Sequence, residues 1–294
     1  MQKTIQRPIT VEGVGLHSGQ PVRVTLRPAP PDSGIRFRRV DLQNFVIEAH
    51  RRWVSRVVLA TTLMKRGVMI STVEHLLSAV YGCGIDNLVV DLDALELPIL
   101  DGSARPWVEA LDAAGVVSQP AERSYLVVQK ELRITDGDRW VSLEPAPRFA
   151  VDYTIDFPHP VIGRQHISLE ITPETYRREL CWARTFGFLA EVEELRRQGL
   201  ARGGSLENAV VLTETGVLNG DLRAPDEFVR HKALDLIGDV SLCGAPLLGR
   251  LRAHRAGHAL HTRLAAALAE NREVVMLLRE SELTGVPVVA AAGR

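Results

Sequence analysis

Two histidines and an aspartate, set far apart along 294 residues, restrict the fold more than any other feature of this chain. His75 lies in Ser71-Thr72-Val73-Glu74-His75-Leu76-Leu77, and the other two lie in His231-Lys232-Ala233-Leu234-Asp235. On a helix, residues i and i+4 share a face, so one ion can take His231 and Asp235 together. With a third ligand from His75, the set is His/His/carboxylate and leaves a coordination position for water. That is the pattern of a catalytic zinc, not a structural one. A fold that uses the set must bring residue 75 to residues 231–235. Glu74, beside the first histidine, is the candidate to deprotonate the water.

Each of these residues also has a plainer reading. Ser71-x-x-Glu74 has the spacing of a capping box, in which Glu74 only satisfies a backbone N–H. His231 and Asp235 could form a surface ion pair. Asp239, four residues beyond Asp235, could orient a ligand or a further histidine. Gly257-His258-Ala259-Leu260-His261 starts a helix, whose dipole disfavours a charged imidazole. His258 would therefore need a carboxylate partner to act as an acid, and Asp239 could supply it. Thr185, in Ala183-Arg184-Thr185-Phe186-Gly187-Phe188, could hydrogen-bond an oxyanion or sit in an ordinary buried strand. Gly203-Gly204-Ser205 has the look of a phosphate cradle but lacks the lysine-serine ending of a P-loop.

Composition excludes several classes. With 46% hydrophobic and 24% charged residues the chain reads as globular. A formal net charge of −1 gives no bulk attraction to nucleic acid or anionic membrane. Aromatics at 5% argue against stacked-base recognition, so no nucleic-acid partner is expected. Cys83, Cys181 and Cys243 are far apart and form no C-x-x-C, which favours a reducing compartment. The N-terminus carries no apolar signal region. No apolar run reaches the ~18 residues of a membrane span, so no integral membrane segment is expected and a cytoplasmic location is.

Strands alternate with helices in both parts of the chain. Residues 1–60 read as short strands, among them 22–26 and 35–40. A helix runs from Ser71 to the Gly82-Cys83-Gly84 stop, a buried strand covers 87–92, and a helix from Pro106 ends at Gly115. The polar stretch from Val117 to Glu122 marks a boundary. Beyond it, strands are expected at 125–134, 139–144, 150–156, 209–212 and 274–278, and helices at 173–180, 189–198, 226–243 and 258–270. The fold class is α+β, with two layered units. No internal sequence repeat is visible.

Six segments, in order and covering nearly the whole chain, resemble one family. They are Gly13-Val14-Gly15-Leu16-His17-Ser18-Gly19, Ser71-Thr72-Val73-Glu74-His75-Leu76, Leu97-Pro98-Ile99-Leu100-Asp101-Gly102-Ser103-Ala104, Ala183 to Phe188, Phe228 to Asp239, and Gly257-His258-Ala259-Leu260. The family is the zinc-dependent UDP-3-O-acyl-N-acetylglucosamine deacetylases of lipid A biosynthesis. The resemblance implies two similar sheet-plus-two-helix domains, 1–118 and 123–280, with the helices sandwiched between the sheets, and a tail at 281–294. It implies a small β insert near 35–65 and a β-α-β insert near 186–212 that forms an apolar passage for an acyl chain.

The resemblance also implies roles. His75, His231 and Asp235 would hold zinc, and Glu74 would activate water for attack on the acetamide. Thr185 would help stabilise the oxyanion, and Lys232 would meet a phosphate or carbonyl oxygen. His258, oriented by Asp239, would serve the leaving amine. Expected substrate contacts are Phe157 (against uracil), Phe186, Leu195, Gly204 and Arg255. Arg255 stands where the family tends to carry lysine, which keeps the charge but changes the shape. Leu189, Val192 and Leu195 fall at i, i+3 and i+6, one apolar face of the passage helix. The expected partner is an acylated UDP-sugar, the expected state a monomer, and the expected source a Gram-negative bacterium. Two other readings stand beside this one: a zinc amidohydrolase of another acylated amide, and a non-catalytic nucleotide-sugar or lipid binder.

Overall fold

The structure, a computed structural model, describes residues 1–57, 59–271 and 273–283. Of the expected tail, residues 284–294 lie outside the described residues. Two five-stranded sheets dominate the α+β architecture. The first has the order Ile9–Val14, Pro21–Pro28, Leu88–Leu92, Ile35–Arg39, Phe45–Glu48. The second has the order Leu132–Asp136, Arg139–Glu144, Arg250–His254, Ala150–Asp156, Arg164–Glu170. Read across each sheet, the pairings run antiparallel, antiparallel, parallel, antiparallel. The topology repeats where the sequence does not.

Helix α1 (Glu74–Gly82) and helix α2 (Arg105–Ala114) belong to the first part of the chain. Short α3 (Pro173–Thr175), α4 (Leu189–Arg197), α5 (Glu227–Ser241) and α6 (His258–Glu270) belong to the second. Nearly every residue of α1 is buried, as is most of α5. Along with its apolar residues α5 buries Glu227, His231, Asp235 and Asp239, polar groups that must find partners inside the protein. The two helices pack on each other. Their approach requires Gly238, where a Cβ would stand 2.1 Å from the carbonyl oxygen of Glu74. Leu76, Val80, Leu234 and Ile237 join sheet residues such as Phe37, Val90, Val151 and Leu251 in one continuous apolar core.

Both small inserts are present. Val54–Arg56, Thr62–Lys65 and Val68–Ile70 form a three-stranded sheet. Phe186–Phe188 and Val210–Leu212 pair in parallel around α4, a β-α-β unit. The first insert begins later than expected. Ile35–Arg39 and Phe45–Glu48 belong to the main sheet, because Ile35–Arg39 pairs with Leu88–Leu92 and buries Phe37. The expected strand over 125–134 is two strands, Ser124–Val128 and Leu132–Asp136. Strand Arg164–Glu170 was not anticipated: it is an edge strand and largely polar. No described helix is long and apolar enough to cross a membrane.

Candidate metal centre and acid–base site

The packing of α1 on α5 brings three donors together. His75 comes from α1, His231 and Asp235 from one face of α5, and their ligand atoms lie within 4.8 Å of one another. All three residues are buried. Asp235 Oδ1 lies 3.3 Å from His231 Nε2 and 3.6 Å from His75 Nε2. Burial drives the pKa of His231 down to about 4 against the pull of Asp235, so the ring is neutral. Its Nδ1 donates to the Ala183 carbonyl at 3.0 Å, which leaves Nε2 as a bare lone pair.

Asp235 is ionised. Burial opposes this, but the positive charges of Lys232 and His258 hold its carboxyl well below the usual range. Lys232 Nζ donates to Oδ2 at 2.8 Å, while buried Oδ1 has no hydrogen-bond partner. Lone pairs of a neutral imidazole and a carboxylate that converge in a buried space repel one another. An ion with affinity for N and O donors converts that repulsion into bonding. The donor set therefore fits a divalent metal.

Glu74 lies next to this cluster, buried at the first turn of α1. The capping-box geometry is absent. Thr72 takes a φ of +59°, and Val73, not Ser71, precedes the helix. Glu74 Oε2 instead accepts from the Thr61 N–H at 3.0 Å. Burial raises its pKa, with His258 and His75 opposing.

Gly257, in extended conformation, starts α6 and sets His258 at its first turn. His258 Nδ1 is 2.7 Å from Asp239 Oδ2, and its Nε2 is 3.9 Å from Asp235 Oδ2. Burial pushes this imidazole down, but the carboxylates of Asp239 and Asp235 outweigh it and raise the pKa to about 9. Asp239 itself is held at about 2, since burial is overcome by His258 and His261. His261 was given no role from sequence. It places Nδ1 2.9 Å from the same Asp239 oxygen, and its Nε2 is 3.1 Å from the Tyr153 hydroxyl.

The other expected site residues are distributed as follows. Thr185 is fixed through its backbone: its N–H donates to the Gly102 carbonyl and its carbonyl accepts from Val210, both at 2.8 Å. Phe186 lies under the Lys232 ammonium at 5.8 Å and against His231 at 6.3 Å. Phe157 packs edge-on to Phe186 at 5.8 Å, so the two belong to one aromatic wall with Phe188. Leu189, Val192 and Leu195 are half-buried on α4, whose other side chains are mostly exposed. Arg255 is outside the buried cluster, in a half-exposed ion pair with Asp138. The N–H groups of Gly203 and Gly204 donate to the Leu16 and Ala201 carbonyls, so neither is free for a phosphate. That loop docks on the chain around Gly15, where a Cβ on Gly203 would stand 2.2 Å from the Gly15 carbonyl oxygen.

Sequence reasoning also passed over a cavity of about 480 Å³ whose lining includes Ala60 and Thr62, on either side of Thr61. His17, Ala60, Met69, Leu95 and Leu200 line it. Glu96, also in its wall, accepts from the His17 and Ser18 N–H groups and from the Thr72 hydroxyl.

Comparison with known proteins agrees with this geometry. The sequence model of the family described as UDP-3-O-acyl N-acetylglycosamine deacetylase matches residues 2–270. A protein of Myxococcus xanthus (strain DK1622) is 49% identical over 97% of this chain and 92% of its own length. One of Solibacter usitatus (strain Ellin6076) is 47% identical over 96% of each. One of Methylococcus capsulatus (strain ATCC 33009 / NCIMB 11132 / Bath) is 45% identical over 100% of this chain and 99% of its own. All three are named UDP-3-O-acyl-N-acetylglucosamine deacetylase.

Proposed function

The chain belongs to the UDP-3-O-acyl-N-acetylglucosamine deacetylase family, and from that premise we propose that it removes the N-acetyl group of UDP-3-O-acyl-N-acetylglucosamine by zinc-dependent hydrolysis, in lipid A biosynthesis. The observation that carries the reading is one buried locus with three convergent metal donors, a buried carboxylate on the residue before His75, and a carboxylate-paired imidazole whose Nε2 is 3.9 Å from Asp235 Oδ2.

In this reading His75, His231 and Asp235 hold the zinc. When bound, zinc supplies a Lewis acid that makes water more acidic and polarises the amide carbonyl. Glu74 takes a proton from the attacking water at the carboxylate oxygen not occupied by Thr61. Its raised pKa suits a base that must release the proton again. The Thr185 hydroxyl and the Lys232 ammonium, which now holds Asp235 Oδ2, would stabilise the charge that develops on the acetamide oxygen. His258, protonated at neutral pH, gives its Nε2 proton to the departing amine, and Asp239 keeps it charged and oriented. The C–N bond breaks as that proton arrives, and acetate and the free amine leave.

The half-buried apolar face of α4, with Leu195, lies along the acyl chain in this reading. Phe157 and Phe186 flank the sugar nucleotide, and Arg255 meets the diphosphate once Asp138 is displaced. Gly204 shapes the loop without binding phosphate through its N–H. The repeated strand order supports a division into units 1–118 and 123–280. The buried, unpaired state of Cys83, Cys181 and Cys243 supports a cytoplasmic enzyme, and we expect a monomer.

Mass-spectrometric detection of acetate release from UDP-3-O-acyl-N-acetylglucosamine tests the proposal. Turnover should vanish on chelation and return with zinc. A metal-loaded protein that binds this substrate without releasing acetate would be a binder and not this enzyme.

A further inference from the structure

Thr61 is fully buried, and its polar groups serve separate parts of the site. Its N–H donates to Glu74 Oε2 at 3.0 Å. Its hydroxyl donates to Asp239 Oδ1 at 2.5 Å and lies 3.5 Å from His258 Nδ1. Its carbonyl accepts from the Val73 N–H at 3.4 Å, one residue before Glu74. Thr61 belongs to none of the central helices, yet it reaches a functional side chain on α1, on α5 and on α6. We propose that Thr61 is a positioning residue that holds the proton-accepting carboxylate of Glu74 and the proton-donating imidazole of His258 in one fixed relation. This inference rests on the deacetylase reading for the roles of those two groups.

The geometry explains why such a tether is needed. Asp239 Oδ2 is already shared by the Nδ1 atoms of His258 and His261, at 2.7 and 2.9 Å. Two donors on one oxygen leave the carboxylate free to turn about its Cβ–Cγ bond. A donor on the second oxygen fixes the plane, and the plane aims His258 through Nδ1. On the other arm the Thr61 N–H takes Glu74 Oε2, so proton acceptance falls to Oε1. Attack by water and departure of the amine need both groups aligned with a single substrate carbon and nitrogen, and small displacements there are costly in rate. Loss of the hydroxyl also strips a buried carboxylate oxygen of its donor.

The test compares wild type, Thr61→Val and Thr61→Ser at equal zinc loading. Thr61→Val keeps the shape and removes the hydroxyl. Its kcat should fall about 10–100-fold, the usual effect of losing an outer-sphere partner, with KM and metal per chain unchanged. Thr61→Ser should recover most of the loss. A wild-type kcat in Thr61→Val, or a Thr61→Ser enzyme as slow as Thr61→Val, overturns the proposal. So does a Thr61→Val protein that loses metal or changes KM as much as kcat, since that is a merely structural role. If Thr61→Val does not fold, Thr61→Ala is read by the same criteria. The proton NMR signal of His258 Nδ1–H, followed without substrate, separates this inference from the deacetylase reading. It should shift in Thr61→Val and return in Thr61→Ser whatever the substrate is, and a signal that stays put in Thr61→Val rejects the tether.

Discussion

Replacing Asp239 by asparagine keeps the side-chain shape and removes its charge, and the pH profile of the enzyme should record the loss. Burial pushes His258 down, and Asp239, Asp235 and Glu74 carry it from the ordinary 6.5 to about 9. A metal ion on Asp235 takes up that carboxylate's charge, so Asp239 is the main support left in the loaded enzyme. Without it burial prevails, and the imidazole falls toward or below its ordinary value. Asp239 is one of three carboxylates behind that rise, so the expected displacement is about one pH unit or more, each unit being about 1.4 kcal/mol of lost preference for the charged form. An acid works below its pKa, so the alkaline limb of kcat/KM moves to lower pH. In the proposed mechanism the acidic limb belongs to Glu74, a base that works above its pKa. Burial raises that pKa, and Asp239 and His258 act on it in opposite directions, so the alkaline limb is the diagnostic one. The bell narrows from its alkaline side, with both limbs read as macroscopic values. The assay is acetate release against pH for wild type, Asp239→Asn and His258→Gln at equal zinc content. An alkaline limb that stays in place in Asp239→Asn, or a His258→Gln enzyme with the wild-type rate, refutes the reasoning.

Three further perturbations test other parts of the site. Glu74→Ala should keep its metal by elemental analysis and lose turnover about 10²–10⁴-fold; a near-normal rate with about 1 kcal/mol of lost stability would make Glu74 a helix-end residue only. Gly238→Ala forces α1 from α5, because its Cβ would stand 2.1 Å from the Glu74 carbonyl oxygen. It should cost about 1–3 kcal/mol in a urea melt and weaken metal retention with it, and an unchanged midpoint would contradict the close packing. Leu195→Asp should raise KM for the acylated substrate more than it lowers kcat, whereas unchanged kinetics would remove the α4 face from the acyl path.

Where a residue's partners are local, its role is legible in the sequence. His231 and Asp235 share a helix face because their spacing dictates it, and α5 and α6 follow from their apolar patterns and bounding residues. The proximity of His75 to that pair depends on a helix contact that no spacing encodes, and only the motif pointed to it. Ser71-x-x-Glu74 misleads as a capping box because the left-handed backbone at Thr72 is invisible in the sequence. Thr61 gave no signal at all. It acts through an N–H and a hydroxyl on residues 13 and 178 positions away, and a threonine before a strand is ordinary. The edge strand Arg164–Glu170 buries little more than Ile167, so its polar composition hides it.

The contact between α1 and α5 also sets an order of events during synthesis. His75 is translated roughly 150 residues before His231, about ten to thirty seconds earlier at ordinary ribosomal rates. For that interval the apolar surface of α1 that α5 will cover has no partner, and His75 alone cannot retain an ion. On the proposed ligand set, the complete three-donor centre cannot form until α5 has been made and docked on α1. A zinc-to-protein ratio measured on nascent or truncated chains would thus report how far assembly of the α1–α5 contact has gone.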